Sequence, residues 1–148
     1  DAAVERIMEP CGAQCLAISI TDEGRPRLLG HSGCGAELAE RFGAEMASTL
    51  RDEADVHRLW YDLRNQALFD AGFRDTIIAI DALLSDMVWA VVQRFSELEG
   101  RAPVVDPSSA YALFDGIFLN ALIAYLRGDL DAVEHLRAAS IRLLLSAV

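Results

Sequence analysis

The segment from Ser108 to Leu126 is apolar around most of its circumference when it is drawn as a helix. Asp106 and Pro107 predict its start, because aspartate caps a helix and proline in the first turn loses no hydrogen bond. Gly128 predicts its end. Its two apolar faces consist of Tyr111, Phe114, Phe118, Leu122 and Tyr125, and of Leu113, Ile117, Asn120 and Ala124. A helix of this kind is buried on both sides. We therefore expect the chain itself to cover one side and a second subunit to cover the other.

Apolar residues at helical spacing account for most of the remaining chain after Gly35. A first predicted helix carries Leu38, Phe42, Met46 and Leu50. A second is capped by Asp55, and its apolar side consists of Val56, Leu59, Trp60, Leu63, Ala67 and Leu68. A long helix runs from about Arg74 to Glu99 and ends at Gly100, a typical left-handed cap. A last helix is capped by Asp129. The pattern predicts one all-α domain spanning residues 1–148, with no linker that divides it.

The N-terminal part of the chain breaks this helical pattern. Residues Cys15 to Thr21 alternate in a way that favours a strand, and Asp22-Glu23-Gly24 is typical of a turn. Residues Arg25 to His31 can run back as a second strand. The alternatives are therefore a short β-hairpin near residues 15–31 and an irregular helical connection.

The negative net charge of the chain argues against some classes of binding partner. The chain has 23 acidic and 13 basic residues, a formal net charge of -10, and its bases are scattered singly. Nucleic acids and anionic membranes are poor partners for such a surface, because binding them requires clustered Lys and Arg. The most apolar run, Ile77 to Val92, carries Asp81 and Asp86, so we expect no membrane-spanning segment. With three cysteines and no signal peptide, a cytoplasmic location is the expectation.

The last hundred residues have a family resemblance. The segment Arg58-Leu59-Trp60-Tyr61-Asp62-Leu63-Arg64-Asn65-Gln66-Ala67-Leu68 resembles the helix that crosses the regulatory domain of TetR-type transcriptional repressors. The long helix after it, the Asp-Pro start, the segment Leu113 to Leu122 with Asp115-Gly116 inside it, and the last amphipathic helix follow that family's order. Glycine inside a helix costs roughly 1 kcal/mol relative to alanine, so Gly116 indicates the close approach of another backbone. The resemblance covers about Glu37 to Val148.

The resemblance implies a helical regulatory domain with a two-helix dimerisation face. Helices Arg74–Glu99 and Ser108–Leu126 would pair with their copies in a homodimer through Val88, Val92, Phe95, Leu113, Gly116, Ile117, Asn120 and Ala124. A small apolar or amphipathic effector would bind inside each subunit, against Phe42, Met46, Trp60, Tyr61, Arg64, Leu84 and Phe118. The family's helix-turn-helix domain is absent from this chain, so DNA binding is expected only through a domain outside it.

Arg64 lies one helical turn after Trp60 and can face the same interior. A buried arginine needs a partner of opposite charge. The two candidates are an anionic group of the effector and an internal acid such as Asp81, and we favour the internal pair.

One alternative function rests on the cysteines. Cys11, Cys15, His31 and Cys34 provide three thiols and an imidazole, which is a possible zinc set or a thiol sensor. Small buried cysteines with a structural role are the expected alternative. His57 and His135 are expected to be packing or surface residues. No nucleophile motif or phosphate-binding loop is recognisable, so we expect neither an enzyme nor a cofactor.

Overall fold

The computed structural model describes the backbone of residues 18–20 and 26–28 and all of residues 34–148. Strands β1 (Ile18–Ile20) and β2 (Pro26–Leu28) pair antiparallel, with Ser19 opposite Arg27. Both strands fall inside the two segments for which the sequence left a short hairpin and an irregular helical connection as alternatives. The backbone therefore favours the hairpin over an irregular helical connection.

From residue 34 onward the described chain is all-α and consists of four helices. They are α1 (Cys34–Gln66), α2 (Ala71–Glu99), α3 (Pro107–Leu126) and α4 (Ala132–Leu145). The prediction of an all-α fold is confirmed. Helix α1 packs most extensively against α4, and α3 contacts each of the other three helices.

Helix α1 is interrupted at Glu53, where the backbone leaves the helical region with φ -127° and ψ 22°. The sequence predicted two helices with a boundary at Asp55, and this kink lies two residues earlier. The prediction for the apolar side of the second part was wrong at several positions. Val56, Leu59 and Leu68 are exposed, and only Ala67 of that set is buried.

The helix ends follow the local signals at most positions. Asp106 accepts a hydrogen bond from the Ser109 backbone N–H at 3.0 Å, and Pro107 follows it. Gly100 has φ 64° and accordingly ends α2 in the left-handed conformation. Asp131 directly precedes α4, and its side chain makes no capping hydrogen bond. The carboxylate of Asp129, the predicted cap, accepts from the Asp131 backbone N–H at 3.1 Å and caps the turn that leads into α4.

The core consists of two adjoining apolar clusters. The first gathers buried residues of all four helices around Phe42, Val92, Phe95 and Phe114. The second contains Leu50, Phe118, Leu122 and Leu136, and both Met46 and Ile117 pack against both clusters. Helices α1 and α4 approach closely beside this core. A Cβ added at Gly43 would lie 2.7 Å from Ile141 Cγ1 and 2.9 Å from the Arg137 carbonyl oxygen.

Among the described helices, α3 is long and apolar enough by length and composition to cross a membrane, with a mean hydropathy of 1.5. The most apolar helix is therefore α3 rather than the Ile77–Val92 part of α2. Its contacts with α1, α2 and α4 make it part of the helical bundle. Its one charged residue, Asp115, lies near its middle.

Candidate functional site: a polar cluster between α1, α2 and α3

An ion pair connects the second half of α1 to the middle of α3. Arg64 Nη1 lies 2.8 Å from Asp115 Oδ2, and Arg64 Nε lies 3.6 Å from Asp81 Oδ1 on α2. The prediction of an internal acidic partner for Arg64 is confirmed, with Asp81 as named. Asp115 is the shorter contact and was missed. Its signal in the sequence was that a lone charge in an otherwise uncharged apolar helix needs a partner.

Two tyrosines complete the cluster. Tyr61 Oη donates to Asp115 Oδ1 at 2.8 Å, and Tyr111 Oη donates to Asp81 Oδ1 at 2.5 Å. Burial raises the pKa of Tyr61 well above its ordinary value, and the charge of Asp115 adds to the effect. Burial also raises the pKa of Tyr111, and its hydrogen bond to Asp81 acts in the same direction. Both phenols therefore stay protonated and act as hydrogen-bond donors across the physiological pH range.

The cluster contains two carboxylates and one guanidinium. The side chains of Arg64, Asp81 and Asp115 are 27%, 32% and 18% exposed, so water reaches the edge of the cluster. Burial acts to lower the pKa of Arg64, but the hydrogen bond and charge of Asp115, with the charge of Asp81, raise it overall. The arginine is permanently charged. Since each charged group has a protein partner, the arrangement is suited to holding three helices together rather than to proton transfer.

Five of the predicted effector-binding residues lie in one region between α1 and α3. Phe42 is buried and meets the Phe114 ring edge-on, with centroids 5.1 Å apart. Met46 and Tyr61 pack on the cluster that contains Phe118, and Arg64 lies beside the Tyr61 ring. The other two predicted residues, Trp60 and Leu84, are half-buried on α1 and α2.

The predicted interior site is occupied by packed side chains. His57 covers Phe118, with ring centroids 4.7 Å apart. A solvent-open hollow on the outer side of α1 is lined by Asp55, Arg58, Leu59 and Asp62, and none of the predicted effector-binding residues lines it. This hollow is therefore separate from the predicted effector-binding residues.

The predicted dimer-interface residues divide into two groups. Val92 and Phe95 are fully buried inside the single chain, so their assignment to an intersubunit surface was wrong. The regular spacing of apolar residues on α2 shows that a face is buried, but not which helix buries it. Leu113 and Asn120 are exposed, whereas Val88, Gly116, Ile117 and Ala124 are half-buried. A Cβ added at Gly116 would meet no described atom within 4 Å, so no neighbouring backbone of the described chain requires that glycine.

The metal hypothesis falls largely outside the described residues. Cys11, Cys15 and His31 lie there, and Cys34 is buried at the first position of α1. Within residues 34–148 and the two short strands, no group of three or more His, Cys, Asp or Glu residues is arranged to hold a metal ion. The set of Cys11, Cys15, His31 and Cys34 stays a prediction.

Comparison with known proteins identifies no relative of this chain. No protein-family model, curated protein or solved structure matches the chain.

Proposed function

We propose that this chain is the effector-binding and dimerisation domain of a TetR-type transcriptional repressor. DNA binding would come from a helix-turn-helix domain outside the chain, and the domain catalyses no reaction. The observation that carries the proposal is the uncharged apolar face that α3 leaves open around Gly116.

The open face of α3 is formed by Leu113, Gly116, Asn120 and Ile123, which recur at helical spacing. Leu113 and Ile123 are 45% and 48% exposed, although side chains of this type normally gain from burial. No charged side chain lies on α3 except Asp115, which is paired with Arg64. A second copy fits this face best. Because each copy carries a net charge of -10, two chains repel least where they present uncharged surfaces.

The effector site would lie on the other side of α3, where Phe42, Met46 and Phe118 provide apolar walls and the Tyr61–Arg64 pair provides a polar edge. Ligand sites commonly combine apolar walls with a few polar groups. An effector would act by binding one arrangement of α1 and α3 more tightly than the other. Since α3 takes part in both surfaces, a change on one side can alter the other.

Sedimentation velocity on matched variants tests the dimer part. Ile123→Glu places a carboxylate on the open face and is expected to convert a dimer into a monomer. Val104→Glu introduces the same charge in the connection between α2 and α3, where Val104 is 71% exposed. This variant is expected to leave the dimer intact. Equal behaviour of the two variants would contradict the proposal. Flotation with phosphatidylcholine vesicles that Ile123→Glu abolishes would instead assign the open face of α3 to a membrane surface.

Binding of the fluorescent amphiphile anilinonaphthalene sulfonate tests the effector part. We expect saturable binding at one site per chain. Met46→Trp should weaken binding, because it fills the space between the two apolar clusters. Leu130→Trp, at a 74% exposed position, is the control and should leave binding unchanged. Non-saturable binding, or binding that Met46→Trp leaves unchanged, would contradict an interior site.

A further inference from the structure

The part of the chain around the α1–α2 turn is weakly buried. Residues 54–84, here called the arm, comprise α1 after its kink, the turn, and the first half of α2. Only Ala67 and Ile77 are buried within it. Residues 34–148 have fourteen exposed large hydrophobic side chains, and the arm carries eight of them, namely Val56, Leu59, Leu68, Phe69, Phe73, Ile78, Ile80 and Leu83. Apolar burial therefore holds the arm to the bundle much less firmly than it holds the rest of α1 and α2.

The kink at Glu53 lies where α1 leaves the core. Leu50, one turn before it, is completely buried, whereas Asp55, Val56 and Arg58 beyond it are exposed. An interruption in a helix near the edge of the core is a natural pivot, because the segment after the kink can change its angle while Leu50 and the residues before it keep their core contacts.

Contacts between the arm and α3 are apolar at the base and polar farther out. Ala54, His57 and Tyr61 pack on the cluster that contains Phe118. Beyond them, the polar joint consists of three hydrogen-bonded residue pairs: Tyr61 with Asp115, Arg64 with Asp115, and Tyr111 with Asp81. Asp115 takes part in two of them, and it is accessible to water at its edge.

We infer that Arg64 and Asp115 form a latch that holds the arm against α3, and that opening it lets the arm pivot at Glu53 and uncovers the apolar surface around Phe118. In the closed form the rings of His57 and Tyr61 cover that surface. The latch explains how a ligand can reach a region that is filled by packed side chains in this structure. Its use in effector sensing rests on the proposed function, but the opening itself does not.

Hydrogen exchange measured by mass spectrometry on the full chain tests the latch. Arg64→Met and Asp115→Asn each remove one partner with little change in size. In either variant, amides of the arm should exchange about tenfold faster or more, because the closed form loses a charged hydrogen bond. The double variant should exchange no faster than the quicker single variant, because both changes break the same contact. Amides of residues 38–50, 91–98 and 132–144 should keep their rates.

Arg137→Met is the matched control. Arg137 pairs with Glu40 and Glu134 on α1 and α4, away from the arm, so its removal should leave exchange in the arm unchanged. An unchanged rate in the arm of both latch variants would overturn the inference. A uniform acceleration of all helices would overturn it too, because it would show general destabilisation rather than opening of one unit.

Arg64→Lys keeps the inference falsifiable if the Met and Asn variants do not fold. Lysine keeps the positive charge but lacks the planar guanidinium that contacts both Asp115 and Asp81, so the latch weakens without leaving a carboxylate unpaired. The arm should then exchange faster relative to the core, and an unchanged ratio would overturn the latch. A monomeric chain whose arm opens in this way would contradict the proposed dimer but leave the latch standing. A dimer whose arm does not open would support the proposed dimerisation and overturn the latch.

Discussion

Arg64 Nη1 and Asp115 Oδ2 lie 2.8 Å apart and join the second half of α1 to the centre of α3. Asp115 is the one charged residue of an apolar helix, and Arg64 lies on a segment that is otherwise weakly buried. The pair therefore links a weakly buried segment of α1 to the core helix α3.

Asp115→Ala should destabilise the chain by about 1–3 kcal/mol. It leaves the Arg64 guanidinium and the Tyr61 hydroxyl without their closest acceptor, and partial exposure of Arg64 to water limits the loss. Urea denaturation followed by circular dichroism measures the change. Asp52→Ala is the control, since Asp52 pairs with its exposed neighbour Arg51 within the described part of the chain, and it should have no measurable effect. Equal losses in the two variants would show that the Asp115 pair has no special role.

Gly43→Ala should destabilise the α1–α4 contact. The new Cβ would lie 2.9 Å from the Arg137 carbonyl oxygen, and backbone cannot move aside as a side chain can. Overpacking of this kind costs about 1–3 kcal/mol. Ala44→Ser, at the exposed neighbouring position of α1, is the comparison and should cost less than about 1 kcal/mol. Thermal denaturation should lower the melting temperature of Gly43→Ala clearly more than that of Ala44→Ser, and equal shifts would contradict this packing.

Ser140→Ala should leave stability unchanged or raise it by about 1 kcal/mol. Ser140 is completely buried, and its Oγ has no hydrogen-bond partner among the described residues. Removing a buried hydroxyl that makes no bond removes a desolvation cost. Urea denaturation of the variant measures the effect. A loss of more than about 1 kcal/mol would show that the hydroxyl makes a stabilising hydrogen bond in solution.

His57 should make stability fall as the pH drops below about 6.5. Burial against Phe118 lowers the pKa of His57 from 6.5, although the charge of Glu53 opposes the effect. The unfolded chain therefore binds the proton first as the pH falls, and the free energy of unfolding decreases until the pH passes the lower pKa of the folded state. Urea denaturation at a series of pH values should show a smaller decrease for His57→Gln. An identical pH dependence in the two proteins would contradict the burial of a neutral imidazole.

Local signals in the sequence predicted the helix ends well. Asp106-Pro107 starts α3 through a side-chain hydrogen bond to the backbone, and Gly100 ends α2 through its left-handed conformation. Both effects depend only on residues close in the sequence. Asp129 likewise provides the side-chain acceptor for the turn that leads into α4, as the sequence predicted. The pairing of Arg64 with an internal acid was predictable because an unpaired buried charge is costly.

It was harder to predict which apolar helix faces lie in the core and which lie at the surface. Val92 and Phe95 have the spacing of an interface helix, but α1, α3 and α4 of the same chain bury them. Val56 and Leu59 have the spacing of a core helix, yet they are exposed because α1 leaves the core at Glu53. A periodic pattern identifies a face of a helix, and only the path of the chain determines what that face meets.

Sedimentation equilibrium of the unchanged chain tests the central claim most directly, because the open face of α3 is assigned to a second copy. We expect a single species with twice the 16.2 kDa mass of the chain across the micromolar range. A species of 16.2 kDa throughout that range would contradict the dimerisation domain proposed here, and with it the reason for the uncharged face around Gly116.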